Sequence, residues 1–546
     1  MKSILNVQTK SINSAALILG AASLASAFLG LLRDRLLAHQ FGAGDELDIY
    51  YAAFKVPDFI ALILIMGAIS AAVVPIFSQY LVRSREEAWD FVTSLLNVFL
   101  VFLISVSALM VVIAPFLISL VAPGFQGEKR ELTILLTRIM FLSPIILGVS
   151  NIISGVLQVF RRFLATSLAP IFYNIGIIFG ILFFVPKVGV VGLAFGVVLG
   201  AVLHFLIQLP VFLFSGFRYK AVFNFFHEGV KKAVVLTVPR SLGLAASQIN
   251  LIIVTAIAST LAAGSIAVFN LANNIIFILI NLIAVPFSTA VFPILSMRIS
   301  ENNKSEFLDK FYSTFRQILF FMVPASFLFF ALRNQIVVII LGSGKFNVAD
   351  IQLVAVCLGL FSLGVFAQGL VLLISKAFYA AQNTKTPAVV SVVAVIANVF
   401  LSLIFIDLLR SSSGFRELIT NLFSLEGLNG VEVVALPLAI SFSAIFQCFL
   451  LLALLHKKIG DFRLREASRF FIKIILISIL MTVFIYFALE MIPIYFRLDT
   501  ANLFGVFWQT VLSSMIGILI YLGLAFALRL PEAQIISRII RSTGQD

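Results

Sequence analysis

Charged residues cluster near the amino terminus, in a stretch otherwise dominated by apolar side chains, among them Arg33, Asp34, Arg35, Asp48, Lys55 and Asp58. A charge within a bilayer costs about 2.5 to 3.5 kcal/mol on insertion scales, so such residues face water, pair with one another or lie at the interface. Asp48 and Lys55 are about two helical turns apart and therefore project from one face. Pro57, just past Lys55, frees backbone groups of that helix, which need a partner or water, and should kink it. Cations lining a cleft suit a phosphate-bearing ligand, because ammonium and guanidinium groups make charge-assisted bonds to its oxygens. The competing reading is structural: Arg33 snorkels to the interface and pairs with Asp34 or Asp48. Lys55, deeper in its span, is the residue expected to face a cavity, and Arg138, Arg240 and Arg316 are further intramembrane cations.

The elements that must hold these residues follow from composition. With 61% hydrophobic and 12% charged residues, and a mean hydropathy of +1.13, the chain carries more apolar surface than a water-soluble fold could hide. Lipid must be its solvent. About fourteen apolar runs are long enough to cross a hydrocarbon core of about 30 Å, and stretches such as Leu95 to Leu120 lack the alternation of a membrane β-barrel. The expected fold is an all-α polytopic membrane protein. The run from about Ser14 to Leu37 is too long for a signal-peptide core and has no cleavage site after it, so it counts as the first span.

The net charge of +13 comes from basic residues in alternate loops: Arg83 and Arg85, Arg161 and Arg162, Arg218 to Lys232, Arg298 to Lys310, Lys457 to Arg469, and Arg538 with Arg541. This is the positive-inside pattern; it reads as topology rather than nucleic-acid binding and places both termini in the cytoplasm. Loops around Asp45, Glu128, Lys187, Lys345 and Arg410 to Glu432 then lie on the outer side. Cys357 and Cys448 fall inside apolar spans, and His39, His204, His227 and His456 are far apart, so no disulfide, metal or other cofactor is expected. No phosphate-binding loop, nucleophile elbow or redox cysteine pair is present. The chain reads as a transporter rather than an enzyme or an ATP-driven pump.

Three stretches recur in order at a displacement of about 220 residues. Ala72 to Ser78 matches Ala290 to Ser296, Leu120 to Phe125 matches Leu341 to Phe346, and Phe160 to Pro170 matches Phe378 to Pro387. About six spans separate the copies, an even number, so the repeats should be parallel about an axis along the membrane normal. The expected organisation is two pseudo-symmetric six-helix lobes at 1–217 and 233–456, basic cytoplasmic linkers at 218–232 and 457–469, two further helices within 470–530, and a cytoplasmic tail at 531–546. The first linker carries Tyr219, Phe223, Phe225 and Phe226, which suits an interfacial segment. The insertion from Leu409 to Glu432 reads as a short amphipathic helix on the outer face. The last two helices either simply thicken the protein or form an apolar groove for a lipid tail.

The run Leu29-Gly30-Leu31-Leu32-Arg33-Asp34, followed by Phe41-Gly42-Ala43-Gly44, Asp48 and Ala53-Phe54-Lys55-Val56-Pro57, resembles the amino-terminal signature of the MurJ/MviN family of lipid II flippases, within the MOP flippase and exporter superfamily. Further matches are Ala122-Pro123-Gly124-Phe125, Ser247 to Ile253, Phe378-Tyr379 and Lys385-Thr386-Pro387, in order along almost the whole chain. The resemblance implies about fourteen helices in two lobes, a tail groove formed by the last two, and alternating access to a cationic central cavity. It also implies a role in peptidoglycan and cell-wall biosynthesis at the bacterial inner membrane. The family's functional residues in the first hairpin are met by Arg33, Asp34, Asp48 and Lys55. Elsewhere the chain departs: Ala27, Ala61, Leu62 and Met66 stand where the family has charges, and Asn273 and Asn274 replace an Asp-Arg pair.

The resemblance therefore implies that Arg33 and Lys55 contact the pyrophosphate of an undecaprenyl-linked muropeptide, with Asp34, Asn273 and Asn274 in the same site and Asp48 setting the local charge or coupling to an ion. Besides lipid II and membrane lipids, a monovalent cation or the membrane potential is an expected partner, and nucleic acid is not. The depleted charge leaves open an exporter of another lipid-linked oligosaccharide or a drug, and a different class, a non-transporting scaffold, predicts no flipping at all.

Overall fold

The computed structural model describes residues 12–62, 73–220, 224, 226–460 and 463–534, with the side chains of 12–17 and 238–247 also outside the description. Met66, Phe223, Phe225, Arg538, Arg541 and the side chain of Arg240 thus lie outside the described residues. Every regular element described is helical.

In the first half these are α1 (Ile12–Phe41), α2 (Asp45–Ala61), α3 (Val74–Arg83), α4 (Arg85–Val112), α5 (Ala114–Val121), α6 (Gly127–Met140), α7 (Leu142–Val159), α8 (Phe163–Phe179), α9 (Val185–Val188), α10 (Val191–Leu206) and α11 (Leu209–Leu213). They are followed by α12 (Glu228–Ser259), α13 (Ser265–Leu279), α14 (Val285–Ser300), α15 (Lys304–Ala331), α16 (Arg333–Leu341), α17 (Val348–Ala380), α18 (Lys385–Ser411), α19 (Ser413–Phe423), α20 (Ala435–Ile459), α21 (Leu464–Phe496) and α22 (Leu503–Ala527). Eleven helices or helix runs are long and apolar enough to cross a membrane among the described residues. The charged α1, the α2–α3 stretch and α12 occupy the places where the sequence puts the first, second and seventh spans.

The same series of elements appears twice, about 220 residues apart: α1 answers to α12, α2–α3 to α13–α14, α4 to α15, α5 to α16, α6–α7 to α17 and α8 to α18; past the insertion that holds α19, α10 answers to α20 at a larger displacement. Details repeat as well. After α7 the chain closes a Schellman turn, with Arg162 N–H donating to Leu157 O and Arg161 N–H to Gln158 O, at 2.9 and 3.0 Å. After α17 the same pair of bonds runs from Asn383 to Phe378 and from Gln382 to Tyr379, again at 2.9 and 3.0 Å. Arg161 and Gln382 both take positive φ there. This pairing sets Arg161 against Gln382, so the register differs by three residues from the one obtained by aligning Phe160 with Phe378. The turn geometry fixes the register, whereas the prolines that guided the string match sit at different depths in their helices.

Helix interruptions have an identifiable cause. Wide-turn π stretches at Gly180–Phe184 and Ile280–Ala284 each end two residues before a proline, Pro186 and Pro286. A proline ring clashes with the carbonyl four residues back, and widening the turn there relieves the clash. Several helix starts are capped by short polar side chains that satisfy otherwise orphaned amides. Ser84 accepts from Glu86 and Glu87 N–H, and Asn347 and Asp350 form a reciprocal capping box.

Contacts divide the chain into two compact units, Met1–Ala267 and Val268–Asp546. In the first, α8 packs on α10 through glycines: a Cβ at Gly176 would lie 2.3 Å from Gly200 Cα, and one at Gly180 would lie 2.4 Å from Gly196 Cα. Close backbone approach of this kind is how helices gain contact where lipid removes the hydrophobic drive. An aromatic cluster around Phe77, Trp89, Phe212 and Phe217 completes the core of this unit. In the linker, Tyr219 and Phe226 are exposed, and Lys220 donates to Asp90 at 2.8 Å, a bond that raises the lysine's pKa. In the second unit α17 is the central helix and packs against α15 and α20, while α21 packs on α15 and α22. The short helix α19 buries Ile419 and Phe423 and exposes Leu418 and Leu422.

The glycine contact yields a prediction. Gly176→Leu should lower the thermal unfolding midpoint of the purified protein by several degrees, as overpacking costs about 1 to 3 kcal/mol. Gly523→Leu, where nothing lies within 4 Å, should leave the midpoint unchanged.

Candidate functional site

The first hairpin, α1 and α2, carries the charges singled out in the sequence, and the structure gives them different surroundings. Arg33 lies near the end of α1 and forks onto its neighbour: Nε and Nη2 donate to Asp34 Oδ1 at 3.0 and 2.8 Å. Its Nη1 donates to Asn174 Oδ1 at 3.3 Å. Asn174 is itself held by donating to Pro170 O and Ser26 Oγ at 3.1 and 3.3 Å. Asp34 is buried, whereas the Arg33 side chain is 22% exposed. The tyrosines Tyr50, Tyr51 and Tyr173 surround this pair closely enough to interact with it electrostatically. The buried Tyr51 hydroxyl has no hydrogen-bond partner among the described residues.

Lys55 and Asp58, both half-buried, interact across one turn of α2. Helix α2 runs through Pro57 without ending. The carbonyl that Pro57 leaves without its usual amide belongs to Ala53, and Thr137 Oγ1 lies 3.4 Å from it while also bonding Thr133 O at 2.7 Å. The backbone group freed by the proline thus has a partner on α6.

Asp48 is 2% exposed and fully engaged. Its Oδ2 accepts from Gly264 N–H at 2.8 Å and Lys129 Nζ at 3.0 Å, and its Oδ1 accepts from Ala267 N–H at 2.9 Å. These amides belong to the first turn of α13 and the residue before it. The carboxylate therefore caps that helix from a distant part of the chain, where the helix dipole favours negative charge. Lys129 also binds Asp45 and lies over the Phe125 ring at 4.1 Å.

Two glycines make this junction possible: Gly264 and, within the Ala122 to Phe125 stretch, Gly124. Gly264 has φ +85°, and a Cβ there would lie 1.9 Å from Ala43 O. A Cβ at Gly124 would lie 2.0 Å from Ser259 O, while Gly124 N–H donates to Ser259 Oγ at 3.1 Å. The stretches Phe41 to Gly44 and Ala122 to Phe125, read from sequence as separate motifs, meet the Ser259–Gly264 turn in one knot.

Asn273 and Asn274 are half-buried on α13 in the second unit, and with Asn270 they form a polar stripe at helical spacing. Two of the other cations read from the sequence have partners in the structure. Arg138 is exposed and donates to Val111 O at 3.2 Å, and Arg316 pairs with Glu532 at 2.6 Å. Sequence reading missed Lys129, Asn174, Thr137 and the three tyrosines, because nothing in local spacing marks them; the only signal was Asn174 one turn after Pro170. No group of three or more potential metal-ligating side chains occurs among the described residues.

Repeated helical halves, spans of membrane length and a charged hairpin within them define a multi-pass membrane transporter. The family described as Lipid II flippase MurJ matches residues 37–505, and the chain belongs to that family. Among relatives, the Lipid II flippase MurJ of Burkholderia cenocepacia is 28% identical over 404 residues, covering 72% of this chain and 78% of that protein. The probable lipid II flippase MurJ of Buchnera aphidicola subsp. Acyrthosiphon pisum is 30% identical over 381 residues, covering 69% and 75%. A solved structure of Lipid II flippase MurJ in an inward closed conformation is similar with a TM-score of 0.74 at 26% identity, covering 94% of this chain and 98% of that one.

The Asp48 junction gives a direct test. Asp48→Ala would leave Gly264 and Ala267 N–H unpaired in a buried site, a loss of about 2 to 4 kcal/mol, visible as a markedly lower melting temperature. Asp45→Ala, which removes a carboxylate that is 57% exposed, should change it little.

Proposed function

We propose that this chain carries lipid II from the cytoplasmic to the outer leaflet of the bacterial inner membrane by alternating access, across about fourteen spans in two six-helix lobes followed by two more helices. The observation that carries this reading is the pair of half-buried cations Arg33 and Lys55, held in the first hairpin of a chain of the lipid II flippase family. A pyrophosphate cannot enter hydrocarbon with its charge unmatched. Arg33 keeps a donor directed beyond Asp34 toward Asn174, and Lys55 carries an ammonium beside Asp58; both groups suit phosphate oxygens.

In this proposal Asp34 orients Arg33, Asn273 and Asn274 offer neutral hydrogen bonds to the cargo, and Asp48 acts through Gly264 and Ala267 by holding the start of α13. The basic loops support cytoplasmic termini. No ion site is assigned, and the membrane potential is the proposed drive for moving a net negative cargo outward.

Arg33→Ala combined with Lys55→Ala should abolish rescue of cells depleted of their own flippase and lower lipid II flipping in proteoliposomes by tenfold or more; full rescue would remove both residues from the mechanism. The second reading, export of another lipid-linked oligosaccharide, is favoured by the asparagines and by the uncharged Ala27, Ala61 and Leu62. Purified protein should bind lipid II more tightly than a lipid-linked oligosaccharide, and the reverse order would favour that second reading. Single cysteines introduced at Lys345 and Glu426 should react with an impermeant maleimide added outside the cell, whereas one at Lys458 should not.

A further inference from the structure

The helices α20 and α21 follow one another with only residues 460–463 between them, yet they do not pack together. Each is held elsewhere: α20 by α17 and α18, α21 by α15 and α22. Between them runs a half-open slot with a cavity volume of about 130 Å³, with Leu319 and Leu370 at its floor, Cys448 and Leu452 along α20, and Leu464 and Phe471 along α21. Its lining is hydrocarbon and aromatic except for the Cys448 thiol and the hydroxyl of Ser468, which donates to Arg465 O at 3.0 Å.

On the α21 side the lining begins at Leu464, the first residue of that helix. Lys457 and Lys458 end α20, and Arg465 and Arg469 each adjoin a lining residue, Leu464 and Ser468. All four side chains are exposed. A fifth, Arg463, is taken by Asp309 at 2.8 Å. Asp461 and Glu466 are the acidic residues of the same segment, so residues 457–469 keep an excess of positive charge.

We infer that the second unit holds a resident anionic phospholipid, with one acyl chain in the slot between α20 and α21 and its phosphate against Arg465, Arg469 and the lysines that end α20. An acyl chain is as apolar in the bilayer as in the slot, so the slot supplies shape and residence but no preference among head groups. The preference comes from the basic rim, where each cation near an anionic head group changes affinity by roughly fivefold. A zwitterionic lipid would fill the slot equally well and leave the rim uncompensated. The tail of a polyprenyl cargo is the other apolar occupant, and the test separates the two.

Full-length protein carrying Trp89→Phe, Trp508→Phe and Phe471→Trp is reconstituted into phosphatidylcholine vesicles containing equal mole fractions of dibrominated phosphatidylglycerol or dibrominated phosphatidylcholine. The expected result is stronger tryptophan quenching by the glycerol lipid, with an apparent preference of tenfold or more. Arg465→Gln with Arg469→Gln should abolish the preference, and Ser468→Phe, which narrows the slot, should reduce quenching by both lipids. Equal quenching by the two lipids, or a preference that survives the double arginine variant, overturns the proposal. So does displacement of the brominated glycerol lipid by an equimolar amount of undecaprenyl pyrophosphate, which would assign the slot to the cargo. If Phe471→Trp does not fold, Phe449→Trp at the exposed rim gives the same readout, since Phe449 lines the slot and is 63% exposed.

Discussion

A carboxylate or guanidinium at membrane depth must find its compensation inside the protein or in a water-filled space, because hydrocarbon offers neither counter-ions nor hydrogen bonds. In this chain that demand falls on the first hairpin, and it is met in two ways. Asp48 is saturated: two backbone amides at the start of α13 and the Lys129 ammonium occupy its oxygens. Arg33 and Lys55 are balanced by Asp34 and Asp58 yet keep partial exposure. The first arrangement fixes backbone; the second sets each cation beside a carboxylate of its own helix.

The Asp48 junction also explains why two glycines lie where they do. A carboxylate can reach the first amides of another helix only if the intervening backbones approach to contact distance, and Gly264 and Gly124 permit this by lacking a Cβ where one would fall about 2 Å from a carbonyl oxygen. Loss of either glycine would separate the groups that the aspartate joins. The residues of this junction therefore act as one structural unit, although they come from three separate segments of the chain.

The internal repeat shows how far one architecture can diverge while its turns persist. The Schellman turns after α7 and α17 keep the same two bonds, although Arg161 and Arg162 in one copy stand against Gln382 and Asn383 in the other. Backbone geometry is retained because helix ends leave carbonyls that must be satisfied. The charged hairpin has no such duplicate: α13, the counterpart of α2, carries Asn270, Asn273 and Asn274 in place of charges. The two halves share a scaffold and differ in the side chains that face the charge problem.

Much of this was legible in the residues alone. Composition and run length determined the helical membrane fold, the displaced stretches marked the repeat, and the clustered charges marked the first hairpin, because each signal is local or periodic. Three-dimensional packing decided the rest. That Asp48 would cap a helix 216 residues away, that Thr137 would take the carbonyl freed by Pro57, and that Asn174 would hold Arg33 depend on which helices come together. Sequence spacing carries no record of such neighbours, and the register of the third repeat stretch was settled by hydrogen bonds at a turn that a comparison of residue strings cannot see.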